Sequence, residues 1–156
     1  MLSRIDHLNS LLCGLPSTTI DRIQRIQNIC ARIVTRCGYR DHITPILKGL
    51  HWLPVHLRIV YKVCLLTFRA LREGQPKYLA DLLEVKRSDH NLRSSSDTLL
   101  LQVPFTRTKT YGDRSFAATA PKLWNILPKN VRHSENINTF KRALKTHFFA
   151  SYYDNL

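Results

Sequence analysis

At 156 residues the chain is one domain's worth of sequence, and its 44% hydrophobic content excludes an intrinsically disordered chain. Twenty-four Lys and Arg against eleven Asp and Glu give a formal charge of +13, which points to nucleic acid or its phosphates as the class of partner. Four cysteines (Cys13, Cys30, Cys37, Cys64) form no Cys-x-x-Cys pair, which argues against a disulfide framework and for a reducing, intracellular compartment. Arg4, Asp6, His7 and Asn9 break any signal-peptide run, and every apolar run is too short to span a membrane. A soluble protein with no membrane partner is expected, with nucleus and cytoplasm both open.

Residues 2–12 carry helical spacing (Leu2, Ile5, Leu8, Leu11, Leu12) up to Gly14 and Pro16, and Met1 enters that pattern midway, as though an element had been cut. A helix is predicted from Thr18, as its cap, to Cys37, with Gly38 as the stop. Ile20, Ile23, Ile26, Cys30, Ile33, Val34 and Cys37 form its expected buried face. Arg22, Arg25, Arg32 and Arg36 fall within an arc of about 80° on another face. Thr44 and Pro45 start a short helix from Ile46 to about Gly49.

His51-Trp52-Leu53-Pro54-Val55 leads into the longest apolar helix, about 54–72, with Pro54 in its first turn and Gly74 past its end. Apolar residues on two faces make it the predicted core helix. Arg58, Lys62, Arg69 and Arg72 interrupt it within another arc of about 80°. A short helix is expected from Tyr78 to about Glu84, then a polar surface loop from Lys86 to Ser96. Leu99 to Val103 and the threonines after Pro104 suggest a short β hairpin or extended segment near 98–110. Helical segments follow at about Arg114–Ala118, from Pro121 to Pro128, and from Ile137 to Phe149, with residues 151–156 as a tail. The fold expected is mainly α: one domain over 1–150, a compact helical bundle around the 54–72 helix.

The words of the sequence also carry a resemblance. Asp41-His42-Ile43-Thr44-Pro45-Ile46-Leu47, His51-Trp52-Leu53-Pro54-Val55, Arg58-Ile59, Gly74-Gln75-Pro76-Lys77-Tyr78-Leu79 and Leu92-Arg93-Ser94 occur in that order. Gly112-Asp113-Arg114-Ser115-Phe116, Ala120-Pro121-Lys122-Leu123-Trp124-Asn125-Ile126-Leu127-Pro128 and Phe140-Lys141-Arg142-Ala143-Leu144-Lys145-Thr146 follow. Asn9 to Pro16 and Gln24 to Asn28 fit the beginning of the same region. The ordered set, over about residues 4 to 149, resembles the C-terminal, post-thumb region of jockey-like, LINE-type (non-LTR) retrotransposon reverse transcriptases. The resemblance implies a non-catalytic part. Polymerase chemistry needs adjacent carboxylates for two metal ions, and no two acids are neighbours in this chain. Tyr152-Tyr153-Asp154-Asn155 lacks the flanking hairpin of a polymerase motif.

No other constellation carries chemistry. Cys30, Cys37 and His42 lack zinc spacing, the serines at 94–96 sit in no nucleophile elbow, and Gly112-Asp113-Arg114-Ser115 is no phosphate loop. Neither metal, cofactor nor enzymatic activity is expected. Trp52 and Trp124 are expected to bury, although His51-Trp52 could also stack on bases. The remaining signal is basic: Arg22, Arg25, Arg32, Arg36, Arg58, Lys62, Arg69 and Arg72, with Arg107, Lys109 and Arg114 interleaved with threonines and Tyr111. Arginine favours bidentate phosphate contact, so these residues are the candidates for non-specific, phosphate-directed binding of RNA or DNA. The missing polymerase core is a second candidate partner. The alternative is a structural packing module, or a degenerate retrotransposon fragment without independent function.

Overall fold

A computed structural model describes residues 6–86, 99–108 and 110–154, and these are mainly helical. Seven α-helices are found among them: α1 (Ser17–Thr35), α2 (Ile43–Gly49), α3 (Val55–Glu73), α4 (Lys77–Ala80), α5 (Phe116–Ile126), α6 (Lys129–Arg132) and α7 (Ile137–Tyr153). The chain groups into two compact units, Met1–Tyr61 with Lys145–Leu156, and Lys62–Leu144.

In the first unit, the start of α3 is held by two glutamines of α1. Gln27 is fully buried, and its Nε2 donates to the Leu53 carbonyl at 2.9 Å. Gln24 Oε1 accepts the Val55 N–H at 2.8 Å, which satisfies a first-turn donor that has no partner within the helix. Gln24 Nε2 also donates to Gln27 Oε1 and Asn28 Oδ1, at 3.0 and 2.8 Å. Pro54 lends only its carbonyl, which accepts the Arg58 N–H at 3.0 Å, so the helix proper begins one residue later than predicted. Gly74, at φ 64, stands just past its end as expected.

Ala31, Leu47 and Tyr153 form a buried cluster, with Ile43, Ile46, Leu50, Trp52, Phe149 and Tyr152 packed on it. Tyr153 donates its hydroxyl to the Trp52 carbonyl at 2.6 Å. The predicted 151–156 tail is therefore corrected: α7 runs on to Tyr153 because Phe149, Tyr152 and Tyr153 supply apolar surface to this cluster. Burial, followed by the neighbouring Tyr152, pushes the Tyr153 phenol up to about 12.

Other boundaries move for local reasons. Among the described residues of 2–12, only Asn9–Leu12 is helical, as a 3₁₀ turn after Leu8 in the left-handed region; Leu8 and Leu11 are exposed. The stop of α1 is Arg36, at φ 55, two residues before Gly38. The Thr35 hydroxyl there bonds back to the Ala31 carbonyl at 2.9 Å. Helix α2 starts at Ile43, so Thr44 and Pro45 lie in its first turn, where Pro needs no donor.

In the second unit, Phe68, Trp124 and Phe140 form the aromatic centre, with ring centroids 4.3 Å apart for Phe68–Phe140 and 5.8 Å for Trp124–Phe140. Val63, Cys64, Leu65, Leu101, Leu127, Val131 and Leu144 are buried in the same unit. Trp124 Nε1 donates to the Leu99 carbonyl at 2.6 Å. Helix α5 runs unbroken through Pro121, where a restart was expected. Ala118, Ala120, Pro121 and Trp124 are all buried there, which offsets the lost backbone bond.

Of the short β hairpin or extended segment expected near 98–110, the described residues show one antiparallel bridge, Val85 to Leu101. On its other side Leu101 pairs with the Asn125 side chain, which accepts from its N–H at 2.9 Å and donates to its carbonyl at 2.8 Å. A side-chain amide thus occupies the edge a second strand would use, and Pro104 has no N–H with which to extend the ladder. The Lys86–Ser96 loop lies, beyond Lys86, outside the described residues.

Candidate nucleic-acid interface

The arginines of α1 differ in freedom. Arg22, Arg25 and Arg36 are exposed and make no ion pair among the described residues. Arg32 is held: its guanidinium donates twice to the Asp41 carbonyl, at 3.0 and 3.4 Å, and lies 5.9 Å from the centroid of the Tyr39 ring. Arg25 and Arg32 line an open groove of about 650 Å³ with Asn28, Ile29, Ile33, Cys37 and Tyr39.

The buried face of α1 is not the predicted one. Gln27, Cys30 and Ala31 are buried, whereas Ile26, Ile33 and Val34, expected inside, are 53–65% exposed, and Ile29, outside the expected face, is 57% exposed. Sequence alone favours the aliphatics for the core. Gln27 takes the central position instead because both ends of its amide are bonded, which removes most of the cost of burying it. Cys30 is buried as expected, and Ile20 and Ile23 are half-buried.

Along α3, Arg58 is taken out of the candidate set. Its Nε donates to Asp6 Oδ1 at 2.8 Å and its Nη2 to Asp6 Oδ2, a bidentate pair in the first unit with the arginine side chain only 16% exposed. A partner fifty-two positions away is not visible to a reading of helix faces. In the second unit Lys62 is half-buried, while Arg69 and Arg72 are exposed and make no ion pair among the described residues.

The 106–113 turn is built on Asp113. Its carboxylate accepts from the Thr106 hydroxyl at 2.6 Å and from Lys122 Nζ at 3.1 Å. Its N–H donates to the Thr108 carbonyl, and its own carbonyl accepts from the Thr119 hydroxyl. Gly112 is required for this closure, since a Cβ there would stand 2.8 Å from the Thr108 carbonyl oxygen. Arg107 is exposed and Arg114 half-buried; Lys109 lies outside the described residues.

Phe105 and Tyr111 are 91% and 83% exposed, two aromatics outside any core. Tyr111 is legible in the sequence as part of the basic run. Phe105 is not, although a Phe directly after Pro104 and inside a Thr- and Arg-rich stretch is a usable signal.

The His51-Trp52 pair is occupied by its own unit. His51 stacks on Phe149 with centroids 5.5 Å apart, and Trp52 is packed on the Ala31–Leu47–Tyr153 cluster. Trp124 is buried with its N–H satisfied. Among the described residues no group of three or more His, Cys, Asp or Glu could hold a metal ion. No described helix is long and apolar enough to cross a membrane. Comparison with family models, curated proteins and solved structures gives no match for this chain.

Proposed function

We propose that this chain is a non-catalytic basic module that grips the phosphate backbone of RNA or DNA, and that it derives from the post-thumb region of a LINE-type reverse transcriptase. The ordered words from Asp41 to Thr146 support the origin. One observation supports the binding. Against a net charge of +13, three ion pairs join described residues to one another, and among these Arg58 alone of the candidate arginines is spent in one.

The second unit carries the reading best. Arg69, Arg72 and Arg107 are exposed there and make no ion pair among the described residues, and exposed Phe105 and Tyr111 offer ring faces of the kind on which unpaired bases stack. The mechanism is neutralisation of phosphates with release of counterions. It requires no sequence readout and no bond-making step.

The test is a salt titration of binding to duplex DNA and to structured RNA. For the parent chain the logarithm of affinity should fall linearly with the logarithm of salt concentration. Replacing Arg69, Arg72 and Arg107 by Glu should lower affinity at least about tenfold and make that slope shallower by about 2 to 3, since each duplex phosphate contact contributes about 0.9. An unchanged slope overturns the proposal.

A further inference from the structure

The exposed face of α1 has no role in phosphate binding that would explain its aliphatic residues. Ile26, Ile29 and Ile33 stand at i, i+3 and i+7, one stripe over two turns, each more than half exposed. Ile29 and Ile33 also line the groove of about 650 Å³, together with Tyr39, itself 91% exposed. A phosphate backbone is wet and charged and does not cover branched aliphatic side chains. An apolar helix face does.

Charge selects the occupant. Arg25 and Arg32 lie along one flank of the stripe, Arg22 stands in line with it one turn before Ile26, and Arg36 follows the end of the helix, while Asp21 is the only acid on α1. The nearby Asp41 carboxylate is engaged by the Gly38 N–H at 2.6 Å. A second copy of this chain would set arginine against arginine and add another +13. We propose that this face docks an acidic amphipathic helix of a partner protein: apolar residues at i, i+3, i+4 and i+7 seated on Ile26, Ile29 and Ile33, with carboxylates along the arginine flank. Arg32 is already fixed by the Asp41 carbonyl and the Tyr39 ring, so it meets a carboxylate with little ordering left to do.

The experiment uses the full chain and a synthetic peptide of roughly 18 residues, with leucines in that spacing and glutamates on one flank. A scrambled peptide of identical composition and a single-stranded oligonucleotide serve as comparisons, all read by fluorescence anisotropy. The amphipathic peptide should bind at least about tenfold more tightly than the scrambled one, because the stripe and not the charge supplies the difference. The double variant I29S/I33S should lose that preference while keeping the parent's unfolding midpoint and oligonucleotide affinity. Conversely, the Arg69, Arg72 and Arg107 reversal should weaken the oligonucleotide and leave the peptide unaffected, so the two proposals fail separately. Equal binding of both peptides overturns the inference, as does loss of oligonucleotide affinity in I29S/I33S, which would give the face to nucleic acid. Self-association of the parent chain that I29S/I33S abolishes also overturns it, in favour of a second copy.

Discussion

A glutamine without solvent exposure is tolerated only when both ends of its amide are used. Gln27 gives its N–H to Leu53 and takes one from Gln24. Replacing it by Leu, of similar size, leaves the Leu53 carbonyl buried without that donor. The Q27L chain should be less stable by about 1–3 kcal/mol, read as a lower urea midpoint at unchanged slope. Tyr153 gives a second prediction at this scale. Its phenol, raised from 10.0 to about 12 by burial and then by Tyr152, contributes stability that is complete below pH 10.0 and lost as pH rises towards 12. Tyr153→Phe should therefore cost about 1 kcal/mol at neutral pH and flatten the alkaline limb of the unfolding profile. His56 acts at the other end of the scale: burial lowers its pKa below 6.5, beside the edge of Tyr152. The unfolded chain then binds the proton more readily, so stability is present above pH 6.5 and falls as pH drops through that range. Chemical unfolding of His56→Gln at pH 7 and pH 5 should show a smaller difference than the parent.

At the scale of elements, α1, α3 and α7 differ in how far their sequences specify them. The extent of α3 was legible to within a residue, because Pro54 and Gly74 punctuate an apolar run and local chemistry sets both ends. Helix α7 was legible at its start and not at its end. Its last turn is helical because Tyr153 and Phe149 find a cluster built from residues a hundred positions away. Ending the chain after Ala150 removes Tyr152 and Tyr153 together, and should destabilise the first unit by about 3 kcal/mol or more. Amide exchange at Leu47 and Leu50 in and beside α2 would report it; unchanged protection there would show that the aromatic turn is dispensable. Helix α1 was placed correctly and rotated wrongly. Periodicity ranks residues by hydrophobicity, so it chose the isoleucines, while the fold chose Gln27 for its hydrogen bonds.

Across the whole molecule, charge is the dominant quantity. With +13 on 156 residues, like-charge repulsion acts against the folded state, while Lys48–Asp154 and Lys122–Asp113 are exposed pairs of small worth. Screening should help more than it harms. Raising salt from about 0.01 M to about 0.15 M, which shortens the Debye length from about 30 to about 8 Å, should raise the melting temperature of the free chain. A fall would mean that the ion pairs outweigh the repulsion. The same salt should weaken the proposed grip on polynucleotides, so stability and binding are expected to move in opposite directions.

The sequence by itself determined the helical class, the course of the longest apolar helix, the burial of Trp124 and the excess of basic residues, because each follows from local spacing or from composition. Tertiary structure alone decided which arginines stay free, since Arg58 is claimed by an aspartate from the far end of its unit. It also decided that a stripe of isoleucines lies outside and a glutamine inside. Hydrophobicity orders residues by their cost in water. Only the folded chain shows which polar groups have found partners that make burial the cheaper state.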